Sequence, residues 1–261
     1  QPQCLVANNH HHTPFPGEDI QIFERDLPGE NKAGLSGQSI GRLPLESCQT
    51  INEHWGYNIT DTLYKSPKEL IQMLVRAAGK NANLLLNIGP EPGGALPELA
   101  LDRLQSLGKW LNQYGETIYG TRGGIVGPHD WGVSTQRGNK LYIHILNCMD
   151  SSLFIPTGNH KIKSATVFGT NKRVNFTKTG NGITLNLDTI PTEVDYIVEL
   201  TLWYRLSRLI IFKIQPAATI QLLRVCLYVS IVFFLKYILR WLLTIYICME
   251  QKCFLNLSSI D

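Results

Sequence analysis

The stretch GEDIQIFERDLPGEN, residues 17–31, gathers Glu18, Asp19, Glu24, Asp26 and Glu30 around one apolar Phe and a Pro-Gly turn, shortly after the apolar run CLVA (4–7). A positioned carboxyl group can donate or accept a proton at a reacting atom, and nearby apolar groups such as Phe23 and Pro28 could tune it by desolvation. A Glu next to Arg25 can also pair with it on the surface and contribute little. A second stretch, ESCQTINEHWGYN (46–58), places Glu46, His54, Trp55 and Tyr57 within one short segment. That mixture of acid, donor and aromatic face suits sugar recognition better than phosphate or metal binding, because an aromatic ring stacks on the apolar C–H side of a sugar. The alternative is that Trp55 and Tyr57 are core aromatics and Glu46 a solvated acid. His10, His11 and His12 resemble metal ligands, but neighbours in extended chain point to opposite faces, so no metal role is expected. The six Cys residues form no CxxC pair and no zinc spacing. No cofactor is expected. A formal charge of +3 with 44% apolar residues gives no reason to expect nucleic acid as a partner.

The elements that must hold these residues follow from periodicity. Residues 1 to about 125 alternate short apolar strands with amphipathic helices, the rhythm of βαβ units and a parallel sheet. SPKELIQMLVRAAGK predicts a helix with Ser66 as N-cap, Pro67 in its first turn, Glu69 completing a capping box, Gly79 past its end, and Leu70, Leu74 and Ala78 on one face. ANLLLNIGP predicts a strand buried on both faces. PELALDRLQSLGKWLNQYG predicts a second helix running from Pro97 to Gly115 with Leu101, Leu104, Leu107 and Leu111 as its stripe. Chemistry would then sit on loops at the C-terminal ends of the strands. From 131 to 200 the period becomes two, with WGVST, KLYIHILN, SATVF, ITLNL and VDYIVEL as short strands of an antiparallel sandwich. The Gly-rich TRGGIVGPHD (121–130) reads as the connector. The tail, 201–261, carries apolar runs broken by Arg224, Lys236 and Arg240, none near the roughly 20 residues that span a bilayer. Membrane association through 217–249 ranks behind a tail that does not belong to the evolved fold.

Taken together, PFPGEDIQIFERDLPG, LESCQTINEHWGYN, SPKELIQMLVRAAGKNANLLLNIGPEPGG, LPELALDRLQSLGKWLNQYGETIYGTRGG and WGVST closely resemble the C-terminal half of the α-L-fucosidases of glycoside hydrolase family 29, over about residues 1–200. The resemblance implies an α/β fold: the C-terminal part of a (β/α)8-like barrel (1–125), a small antiparallel β-sandwich (131–200) and an apolar, helical tail (201–261) outside the family. It implies a retaining hydrolase of terminal α-L-fucose on glycans or glycoconjugates, with Glu24 as acid/base and His10, Glu46 and Trp55 contacting the sugar. His10 stands where many relatives have Arg. The family's nucleophilic Asp would lie N-terminal to Gln1, so the chain reads as a piece of a longer protein and is expected to be inactive alone. A noncatalytic sugar-binding or truncated remnant, held to a membrane by its tail, is the alternative. A secreted, periplasmic or lysosomal setting is implied; sequons at Asn58, Asn175 and Asn256 would matter in a secretory eukaryotic one.

Overall fold

The computed structural model describes residues 3–9, 16–35, 40, 42–170 and 172–203. His10 and the tail beyond Trp203, with the membrane-contact stretch 217–249, lie outside these residues. Gln1–Tyr204 forms one compact unit. Its first layer is a four-stranded parallel sheet in the order β1 (Ala7–Asn8), β2 (Ile20–Glu24), β3 (Leu45–Thr50), β4 (Ala82–Asn87). Side chains alternate across it. Phe23, Leu45 and Ala82 form a buried cluster on one face. In the same register, Leu84 and Leu86 follow Ala82 on that face, and Leu86 packs against Ile51, Leu70 and Ala100. The other face carries Glu24, Glu46, Cys48 and Leu85.

The expectation that ANLLLN is buried on both faces is therefore corrected. Only Ala82 is buried, and Leu85 is 47% exposed. The helices cover one face of the sheet, whereas Leu85 stands on the face of the acidic side chains.

Helix α1 (Pro67–Gly79) starts as its sequence dictates: Ser66 Oγ accepts from the Glu69 N–H, and the Glu69 carboxylate accepts from the Ser66 N–H at 2.7 Å. Its end differs from expectation. The helix runs through Gly79, Lys80 caps it, and the left-handed residue is Asn81, φ 62°. Gly79 is needed for packing, since a Cβ there would lie 2.4 Å from the Val133 side chain. Helix α2 (Glu98–Tyr114) passes into a 3-10 turn at Gly115–Thr117. Leu104, Leu107 and Leu111 pack inward as expected, but Leu101 is 41% exposed, and Ala100 and Trp110 are the buried positions.

The remaining strands are antiparallel: β5 (Arg122–Gly123), β6 (Gly132–Arg137), β7 (Lys140–Ile145), β8 (Ser152–Ile155), β9 (Ile162–Val167), β10 (Asn175–Thr179), β11 (Gly182–Asn186) and β12 (Tyr196–Leu202). They form a five-stranded sheet, β5-β6-β7-β12-β9, and a three-stranded sheet, β10-β11-β8. Leu141, Ile143, Ile155, Leu185, Val198 and Leu200 belong to one core joining the two sheets. On its other face the five-stranded sheet offers Val133, Tyr142 and Ile197 to Ile71, Val75 and Trp110 of the helices. The segment 121–130 is part of this structure as well as a connector. Arg122–Gly123 pairs with β6, and Val126 is buried in the core. On β7, fully buried His144 meets Asp195 at 2.8 Å through Nδ1 and lies 3.0 Å from the Thr135 hydroxyl through Nε2.

Candidate active site

The parallel register places the C-terminal ends of β1 to β4 along one edge, and Glu24 ends β2 there. The acidic cluster of residues 18–30 sorts by hydrogen bonding. Asp19 accepts from the Val6 N–H at 2.8 Å, and Asp26, 2% exposed, accepts from the Lys32 and Ala33 N–H groups. Glu30 pairs with Lys80 and Lys32. Those three carboxylates tie the chain to itself. Glu24 instead receives the side-chain amide of Asn9, from the end of β1, at 2.6 Å.

Arg25 does not fold back on Glu24. Its backbone adopts φ 57°, unusual for a residue with a Cβ. Its N–H still donates to the Cys48 carbonyl, while its guanidinium donates to the Glu53 carbonyl at 2.8 Å and lies 5.3 Å over the Trp55 ring. Phe23 does not shield Glu24. Period-two alternation sends it to the opposite face, into the core with Leu45 and Ala82. Pro28 is buried, and its carbonyl accepts from Lys80.

Trp55 is half-buried and Tyr57 is 38% exposed, so neither is a core aromatic. Their loop is pinned from several sides. Asn87 Nδ2 donates to the Trp55 carbonyl at 2.7 Å, and the Thr50 hydroxyl lies 2.9 Å from the His54 carbonyl. Lys65 Nζ donates to the Thr50 and Asn52 carbonyls; burial and then the Arg25 charge hold its ammonium below the usual range. Asp61 closes the loop, accepting from the Glu53 and His54 N–H groups and meeting His54 Nδ1 at 2.9 Å. The His54 contact, ahead of those backbone donors, holds the Asp61 carboxyl below the usual range. Gly89 lets β4 approach this loop: a Cβ there would meet the Tyr57 nitrogen at 2.4 Å.

Glu46 and Glu24 share a face. Cys48 is in register with Glu24 and two residues past Glu46; burial first, then the charges of Glu24 and Glu46, push its thiol up, which keeps it protonated. Glu46 also lines a cavity of about 590 Å³ along β4 with Leu74, Asn83, Leu85, Tyr119 and Arg122. It is thus turned toward the start of β4, while Trp55 stands at the C-terminal edge. Among the described residues no group of three or more His, Cys, Asp or Glu is placed to hold a metal ion.

The family profile described as Alpha-L-fucosidase matches residues 1–116. The sequence is 30% identical over 164 residues to the α-L-fucosidase of Dictyostelium discoideum, covering 58% of this chain and 35% of that one. The fold is similar to α-L-fucosidase isoenzyme 1 from Paenibacillus thiaminolyticus, with a TM-score of 0.62 and 34% identity over 72% of this chain and 46% of that chain. In sequence and in fold the chain is similar to the α-L-fucosidases. The Thermotoga maritima α-fucosidase in complex with fucose is a further structural relative, with a TM-score of 0.59 and 25% identity over 77% of this chain and 45% of that one. The chain therefore spans between about a third and just under half of the length of these relatives.

Several residues of the candidate site carry no local signal in sequence. Asn9 and Asn87 act through partners distant along the chain, Asp61 acts through Glu53 and His54 at the other end of its own loop, and Arg25 stands out only by adjoining Glu24.

Proposed function

We propose that this chain is the C-terminal part of a retaining exo-α-L-fucosidase acting on terminal α-L-fucose of glycans or glycoconjugates. One observation carries the reading: Glu24 ends a parallel strand with a side-chain amide on one carboxylate oxygen, while Asp19, Asp26 and Glu30 are committed to backbone or Lys partners. Glu24 is the acid/base. It protonates the leaving oxygen as the glycosidic bond breaks, then takes a proton from the water that hydrolyses the glycosyl-enzyme. Retention needs a second carboxylate about 5 Å away on the other side of the anomeric carbon. We assign that nucleophile to an Asp outside these 261 residues, so the chain alone does not turn over. Trp55, steadied by Arg25, offers its ring to the apolar side of the sugar; Glu46 and His10 are assigned polar contacts to it.

In this reading β1–β4 with α1 and α2 are part of a (β/α)8-like barrel (1–125), and the free edge of β4 takes a further parallel strand. Residues 131–200 are the sandwich domain, and 201–261 a separate segment. The parallel order and the placement of Glu24 at the C-terminal edge support it. We place the protein in a secreted, periplasmic or lysosomal setting.

Hydrolysis of an aryl α-L-fucoside tests the assignment. In the whole protein Glu24→Gln is expected to lower kcat by about 10²–10⁴-fold for substrates that need protonation, and the 261-residue chain is expected to be inert. Turnover by that chain, lost in Glu24→Gln, would overturn the assignment of the nucleophile to a segment outside it.

A further inference from the structure

We propose that Asn9 is a positioning residue that decides which oxygen of Glu24 carries the transferred proton; this rests on Glu24 being the acid/base. The two residues sit on adjacent parallel strands, β1 and β2, paired through Ala7 with Ile20 and Asn8 with Gln21. Asn9 stands one residue past β1, Glu24 is the last residue of β2, and Asn9 Nδ2 reaches Glu24 Oε2 at 2.6 Å. A side-chain amide NH₂ is a donor only. Oε2 is therefore held as an acceptor, and when Glu24 is a carboxylic acid its proton sits on Oε1.

Asn9 brings no charge to the site. A Lys or Arg there would favour the ionised form strongly and oppose the protonated state that an acid needs. A neutral amide restrains the carboxyl plane without adding a charge. Arg25, the cation adjoining Glu24, is engaged with the Glu53 carbonyl and the Trp55 ring. Its left-handed backbone turns the chain directly after Glu24, so the strand end and Asn9 fix the carboxyl together.

Two measurements test this. In ¹H–¹⁵N spectra of this chain, one Asn9 side-chain amide proton is expected far downfield and is expected to shift when Glu24→Gln replaces its acceptor. An Asn9 amide insensitive to that substitution overturns the contact. In the whole protein, Asn9→Ala is expected to slow a fucoside with a poor, alkoxide-like leaving group by about tenfold more than one with a 2,4-dinitrophenolate leaving group, because only the former needs the proton. KM is expected to stay nearly constant, and Asn9→Gln, which keeps an amide donor, is expected to recover part of the loss. Equal slowing of both substrates means a merely structural role and overturns the proposal. Thermal unfolding of each variant identifies a loss that comes from misfolding, and the spectral test decides in that case. If Glu24→Gln itself slows both substrates equally, the acid/base reading fails and takes this one with it; if Glu24→Gln discriminates and Asn9→Ala does not, only the role of Asn9 fails.

Discussion

Cys48 reports on the two carboxylates that share its face. Its thiol is pushed up by burial and by the charges of Glu24 and Glu46, so removing either charge raises the thiolate fraction at a fixed pH. Glu24→Gln and Glu46→Gln are each expected to speed alkylation of Cys48 by iodoacetamide at pH 8; unchanged rates in both would mean the carboxylates lie further from the sulfur than drawn. Gly89 is the other sensitive point. Gly89→Ala sets a methyl group against the Tyr57 backbone and is expected to destabilise the fold by about 1–3 kcal/mol, read as a lower Tm. At this scale the resemblance singles out Glu24, and strand alternation places it on the face of Glu46 and Cys48. The sequence is silent on Asn9 and Asn87, whose partners lie 15 and 32 residues away and leave no local pattern. The position of Phe23 was readable from strand alternation alone, and it contradicts a shielding role.

Among the elements, the loop from Ile51 to Lys65 holds Trp55 and Tyr57 of the candidate site, and Asp61 is its clasp. Because the folded form lowers the Asp61 pKa, the clasp contributes fully above the ordinary aspartate range, about 3.9, and is lost as pH falls through the lower folded value. Exchange protection of the Glu53 and His54 amides is expected to persist down to about pH 4 and to fall below it; Asp61→Asn is expected to weaken it at every pH. Helix starts were legible because capping chemistry is local, as Ser66 and Glu69 show. The end of α1 was not, because Gly79 answers to Val133 from a distant strand. Of the antiparallel strands, β5, β8 and β10 are absent from the expected set: β5 is an Arg-Gly pair, β8 has only four residues, and β10 has a mostly exposed polar pattern. Among the described residues no helix is long and apolar enough to cross a membrane.

Across the whole unit, burial is uneven. Strand β7 is paired on both sides, by β6 and β12, and all its residues after Lys140 are buried. Strand β4 ends its sheet and exposes Leu85. Hydrogen exchange of this chain is expected to be slowest in β7 and β12. It is expected to be fast at the alternate amides of β4 that face away from β3. Comparable protection of β4 throughout would mean that its edge is covered in solution. The five-stranded sheet has a practical consequence for anyone wishing to produce a shorter piece. Val133, Tyr142 and Ile197 are buried under α1 and α2, so trimming at residue 131 would strip that face bare and yield sticky, poorly recovered material. A well-behaved fragment has to start upstream of Ser66, which makes the two helices inseparable cargo of the strands that follow them.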